Sequence, residues 1–140
     1  MTISPTWLLA VAAVSLLVSL ALAWIASLIV YTKVAWLAAI FEAPYQLVRA
    51  HIDYLLMSLL LVMVHYLTER LGLILPPVIL LLLCIGSLYN PLGFIALAIR
   101  PQMARPPTRS GQLSILIGFL PATIGYGYTM FAVLRTLVTS

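Results

Sequence analysis

Four stretches of the chain are apolar enough to be read as spans: residues 7–30, 51–68, 73–99 and 112–134. A helix needs about 20 apolar residues to cross the hydrocarbon core of a bilayer. The first, third and fourth stretches carry no charge, and Asp53 interrupts the second. The pattern predicts an all-α integral membrane four-helix bundle, a single transmembrane domain over residues 1–140. The linker over residues 31–50 holds Lys33, Glu42, Pro44 and Arg49 and has room for a short interfacial helix. The linker over 100–111 is basic and Pro-rich and reads as a plain loop. Residues 69–72 leave only a short link, so spans two and three should be neighbours. Ala21-Leu22-Ala23 resembles a leader-cleavage site, but no Lys or Arg precedes Trp7 and the apolar run continues to Val30. The segment therefore reads as a retained span.

Composition sharpens this picture. Of all residues, 64% are apolar and 7% charged. Soluble domains carry about 25% charged residues. A soluble enzyme, a disordered tail and a nucleic-acid binder are excluded. Seven basic against three acidic residues give +4, but the basic residues are scattered and form no phosphate-binding stripe. Cys84 has no second cysteine to pair with. Loops one and three hold Lys33, Arg49, Arg100, Arg105 and Arg109, and the other side holds Arg70 and Arg135. The excess places loops one and three in the cytoplasm and both termini outside.

Ionisable groups inside a span are expensive in lipid and mark candidate sites. Span two carries His51, Asp53, Tyr54, Ser58 and His65. His51, Ser58 and His65 recur at steps of seven and share one face. The two imidazoles are about 21 Å apart along the axis, too far to bind one metal together. Each can equally well hydrogen-bond to a neighbouring helix or a headgroup. His51 stands at the cytoplasmic mouth of span two in the run Arg49-Ala50-His51-Ile52-Asp53-Tyr54. Asp53 lies about 200° around from His51 and is placed to cap the helix N-terminus. Arg49 suits an anion near the interface, either a lipid phosphate or a cofactor propionate.

Span three carries Ser87, Tyr89 and Asn90 before Pro91, and the proline bends the helix there. Asn90 either satisfies freed backbone groups or points into a polar pocket. Gly86 and Gly93, like Gly118 and Gly125 of span four, are seven apart and permit close helix approach. Tyr126 and Tyr128 read as packing or interfacial residues. The chain holds no HExxH, no Cys-x-x-Cys and no glycine-rich phosphate loop, which argues against metallohydrolases and nucleotide-driven pumps.

At Arg49-Ala50-His51, followed by a long apolar helix, the chain resembles the small four-span styrene oxide isomerase family and the related hydroxylaminobenzene mutases. Asn90-Pro91-Leu92-Gly93-Phe94 in span three is similar to the Asn that stands shortly before Gly-Phe in that family. The likeness covers the chain in span count and spacing, with some eight residues in the motifs. It implies a homotrimer in a bacterial inner membrane, with haem b between subunits and His51 as the axial iron ligand. It also implies that ferric iron acts as a Lewis acid, rearranging an aryl epoxide to an aldehyde. Arg49 would then pair with a haem propionate, and Asn90 and Tyr89 would be the distal catalytic candidates. The partners implied are a small apolar aromatic substrate and the lipid bilayer. The chain departs from the family at two substrate-holding positions, where Met57 and Ile95 replace Asn and Tyr. Haem ligation is thus expected to be retained more readily than the epoxide chemistry.

Two other functions fit the same residues. A transmembrane electron carrier would pair His51 and His65 with their mates across a dimer, binding two haems. A cofactor-free structural membrane protein would use every polar residue for packing alone.

Overall fold

The computed structural model describes residues 4–104 and 109–139, so Arg105 lies outside the described residues. Helix α1 runs over Thr6–Val30, a short α2 over Ala35–Ile40, and α3 over Pro44–Leu71. Helices α4 (Pro77–Tyr89) and α5 (Leu92–Ile99) share the third apolar stretch. A 3-10 turn follows at Pro101–Ala104, and α6 covers Arg109–Thr139. Among the described residues, four segments are long and apolar enough to cross a membrane: Thr6–Val30, Pro44–Leu71, Pro77–Ile99 and Leu116–Thr139. A short helix, α2, stands in the linker between spans one and two, where the sequence leaves room for one.

Local chemistry sets these boundaries. Pro44 and Pro77 sit in the first turns of α3 and α4, where a missing N–H costs nothing. Helix α3 ends at Gly72, whose φ of +62° provides the left-handed cap. The Leu73 N–H then bonds the Thr68 carbonyl at 2.9 Å, closing a Schellman motif. The link to α4 therefore runs to Pro76, longer than the sequence reading allowed. At the other end, loop three is not plain loop. Its start forms the 3-10 turn, and α6 begins at Arg109.

Helix α1 packs along α3, and α4 packs along α6, while α3 and α4 touch less extensively. The reason lies in the seams. The buried face of α1 is Leu8, Ala12, Ser15, Ser19, Leu22, Ala26 and Ile29, an alternating four–three repeat. Its partner face on α3 includes Leu47, Ala50, Tyr54, Ser58, Leu61, Val64 and Thr68. This mean spacing of about 3.5 residues belongs to left-handed packing. Small residues bring the two backbones close. Between α4 and α6 glycine does the same. A Cβ on Gly86 would lie 2.5 Å from the Ala122 nitrogen, and one on Gly125 would lie 3.0 Å from Leu83. Gly93 has open space around it, and Gly118 has only ordinary contact with Tyr89. One glycine of each expected pair therefore mediates close approach.

Two apolar clusters hold the ends of the bundle. One gathers Leu8, Val11, Leu61, Val64, Ile79 and Leu83. The other gathers Leu22, Ile29, Leu37, Leu47, Tyr54 and Ala98. Buried Ser15, Ser19, Ser58 and Ser87 fall between them along their helices. Exposed Trp24, Tyr31 and Trp36 flank loop one, while exposed Trp7 and Tyr66 lie toward the opposite end. This arrangement resembles the aromatic belts of membrane proteins.

Candidate functional site

Helix α3 starts seven residues before His51, about 10 Å earlier along the axis. His51 is therefore not at the mouth of its helix. It pairs with Ser19, the fourteenth of the 25 residues of α1, near the middle of that span. The expected start at residue 51 was late because Gln46 and Arg49 are polar yet belong to the helix.

The contact between the two residues is reciprocal. His51 Nδ1 lies 2.9 Å from the Ser19 carbonyl oxygen and 2.8 Å from Ser19 Oγ. Ser19 Oγ donates to the His51 carbonyl at 2.8 Å. Ser19 is fully buried, and the imidazole is half-buried at the edge of the seam. Among the described residues, nothing bonds His51 Nε2. One turn along α1, the Ser15 hydroxyl is buried without a hydrogen-bond partner. Ser58 Oγ donates to the Ala12 carbonyl at 2.8 Å and extends the polar seam.

The opposite face of α3 carries a second polar group. Asn90 Nδ2 donates to Asp53 Oδ2 at 3.2 Å. Asp53 is the tenth residue of α3 and does not cap its N-terminus, where Ala43 makes no side-chain cap. The expectation failed because the helix begins nine residues earlier than Asp53. Asn90 sits where the third span breaks between α4 and α5, and its side chain serves Asp53 rather than the freed backbone. Tyr89, the last residue of α4, is 43% exposed. Arg49 is exposed, and its guanidinium lies 5.8 Å from the Tyr45 ring centre, within cation–π range. A shallow groove of about 280 Å³ opens along this face, lined by Arg49, Ile52, Asp53, Leu56 and Phe94.

The predicted site residues thus form two groups within one chain. His51 belongs to the α1–α3 seam. Arg49, Asp53 and Asn90 lie about 200° around α3 from it. Met57 is half-buried, and Ile95 packs on the apolar cluster around Tyr54. His65, on the His51 face two helical repeats on, has a buried Nδ1 without a partner. Sequence reading missed Ser19 altogether. The signal was present in the spacing of Ala12, Ser15, Ser19 and Ala26, small residues at four–three intervals.

Beyond these groups, Tyr54 donates to the Leu88 carbonyl at 2.9 Å, and the Ser87 and Tyr126 hydroxyls meet at 2.8 Å. Tyr126 packs against the apolar cluster around Leu8 and Leu83. Among the described residues, no three His, Cys, Asp or Glu side chains converge to hold a bare metal ion. A cofactor with its own equatorial donors asks less, since one imidazole suffices for the iron. Among the described residues, His51 has one ring nitrogen anchored and nothing bonding the other. Comparison with protein-family models, curated proteins and solved structures finds no match to this chain.

Proposed function

We propose that this protein is a haem b-dependent membrane isomerase acting on a small apolar aromatic epoxide, with His51 as the axial iron ligand. The observation that carries the reading is the anchoring of His51 through Nδ1 to Ser19, with nothing bonding Nε2 among the described residues. A half-bonded imidazole in an apolar surround is costly. Metal-ligating histidines commonly use this arrangement, with one ring nitrogen on a backbone carbonyl and the other on the metal. Bound ferric haem would supply a Lewis acid for rearranging an aryl epoxide to an aldehyde, chemistry that needs no carboxylate pair.

The chain's own residues hold the rest of the site. Arg49 offers its charge to a propionate, and Asn90 and Tyr89 offer distal hydrogen-bonding groups. Because these lie across α3 from His51, one subunit does not join them around one cofactor. A haem between subunits, with His51 from one copy facing Arg49 and Asn90 of the next, accounts for both faces. The likeness to styrene oxide isomerases implies a homotrimer with haem between subunits. The protein then lies in a bacterial inner membrane with loops one and three cytoplasmic, on the side holding five of its seven basic residues.

The test is turnover. Haemin-reconstituted protein in detergent is given styrene oxide, and phenylacetaldehyde is followed by gas chromatography. The reading expects aldehyde from the wild type and background levels from His51→Ala. Haem-loaded protein that leaves the epoxide intact would remove the isomerase assignment.

A further inference from the structure

We infer that Ser19 is a positioning residue that holds His51 as the Nδ1–H tautomer and so keeps the lone pair of the ring on Nε2. Three short contacts demand this arrangement together. The Ser19 carbonyl, 2.9 Å from Nδ1, only accepts. Nδ1 must therefore carry the proton, or two lone pairs would face each other. Ser19 Oγ, at 2.8 Å from both Nδ1 and the His51 carbonyl, has one hydrogen to give. The carbonyl accepts it, and Oγ then accepts from Nδ1–H beside its own carbonyl. The opposite tautomer leaves the 2.9 Å contact without a hydrogen.

Register places Ser19 there. It belongs to the small-residue repeat that lets α1 approach α3, and that same approach brings its backbone to the imidazole. Ser15 is equally buried one turn away, yet its hydroxyl has no partner. Burial and size alone therefore do not confer the role. The consequence for iron rests on the haem reading above, because a metal binds the nitrogen that lacks the proton. The tautomer itself does not depend on that reading.

Histidine-selective nitrogen NMR of isotope-labelled apoprotein reads the tautomer ratio directly, with His65→Gln assigning the His51 signals. The wild type should show His51 predominantly as Nδ1–H. Ser19→Ala keeps the backbone carbonyl and loses the hydroxyl, so the ratio should shift toward Nε2–H by about fivefold, the scale of one neutral hydrogen bond. Ser15→Ala should leave it unchanged. A wild-type ring protonated at Nε2 overturns the inference whether or not the variants fold. So does a folded Ser19→Ala with the wild-type ratio. Haemin that fails to bind the wild type removes the haem reading, while the tautomer ratio still decides the role of Ser19.

Discussion

His51 and Asp53 are two residues apart on α3 and serve opposite sides of it. The imidazole meets Ser19 on α1, and the carboxylate accepts from Asn90 at the break between α4 and α5. The Asp53–Asn90 bond joins the second span to the broken third one. Removing one partner leaves a polar group unmatched in apolar surroundings. Asn90→Leu should therefore destabilise by about 1–3 kcal/mol. Replacing both, as Asp53→Leu with Asn90→Leu, should recover most of that loss. Thermal unfolding in detergent would show it. Equal destabilisation by the single and double variants would contradict the pairing.

The α4–α6 seam predicts a contrast between glycines. Gly86→Ala puts a methyl group 2.5 Å from the Ala122 backbone, which cannot move aside as a flexible side chain can. Overpacking of this kind costs about 1–3 kcal/mol. Gly127 lies on the same helix as Ala122 but has open space around it. Gly127→Ala should be neutral or stabilising by up to about 1 kcal/mol through helix propensity. Melting temperatures of the two variants should thus move in opposite directions, or only the first should fall.

Hydroxyl deletions in the seams should be mild. Ser58→Ala removes its bond to the Ala12 carbonyl, and Tyr54→Phe its bond to the Leu88 carbonyl. Hydrogen bonds within membrane bundles average about 0.6 kcal/mol by double-mutant cycles. Each variant should lose about that much in unfolding free energy and retain its helicity. A loss several times larger would mean these bonds hold the fold on their own.

His65 separates the isomerase from the electron carrier. Its Nδ1 is buried without a partner, so His65→Leu removes an uncompensated polar atom. The variant should be at least as stable as the wild type and should bind haemin to the same stoichiometry. Loss of half the haem, measured by pyridine haemochrome, would instead favour the di-haem carrier.

The spans were legible because a bilayer demands a long apolar run, and residues 7–30 supply one without interruption. The start of α3 was harder to read. Gln46 and Arg49 look like linker residues, and only Pro44 marks the first turn. A helix starting at residue 51 would put His51 at its mouth and Asp53 at its cap; the start at Pro44 puts both inside it. The break at Asn90-Pro91 was readable from proline geometry, but the partner of Asn90 was not, since Asp53 lies 37 residues away in sequence. In lipid, buried and exposed helix faces are both apolar, so hydropathy cannot identify a seam. Small residues can, and their repeat along α1 points to Ser19.

The central claim is that the His51 imidazole binds haem iron. The most direct measurement is the absorption spectrum of detergent-purified protein titrated with haemin. The account predicts a sharp Soret band at one haem per subunit in the wild type. The band should persist in His65→Leu and be lost in His51→Ala. A wild-type protein that develops no such band, or a His51→Ala variant that binds haemin as tightly as the wild type, would contradict it.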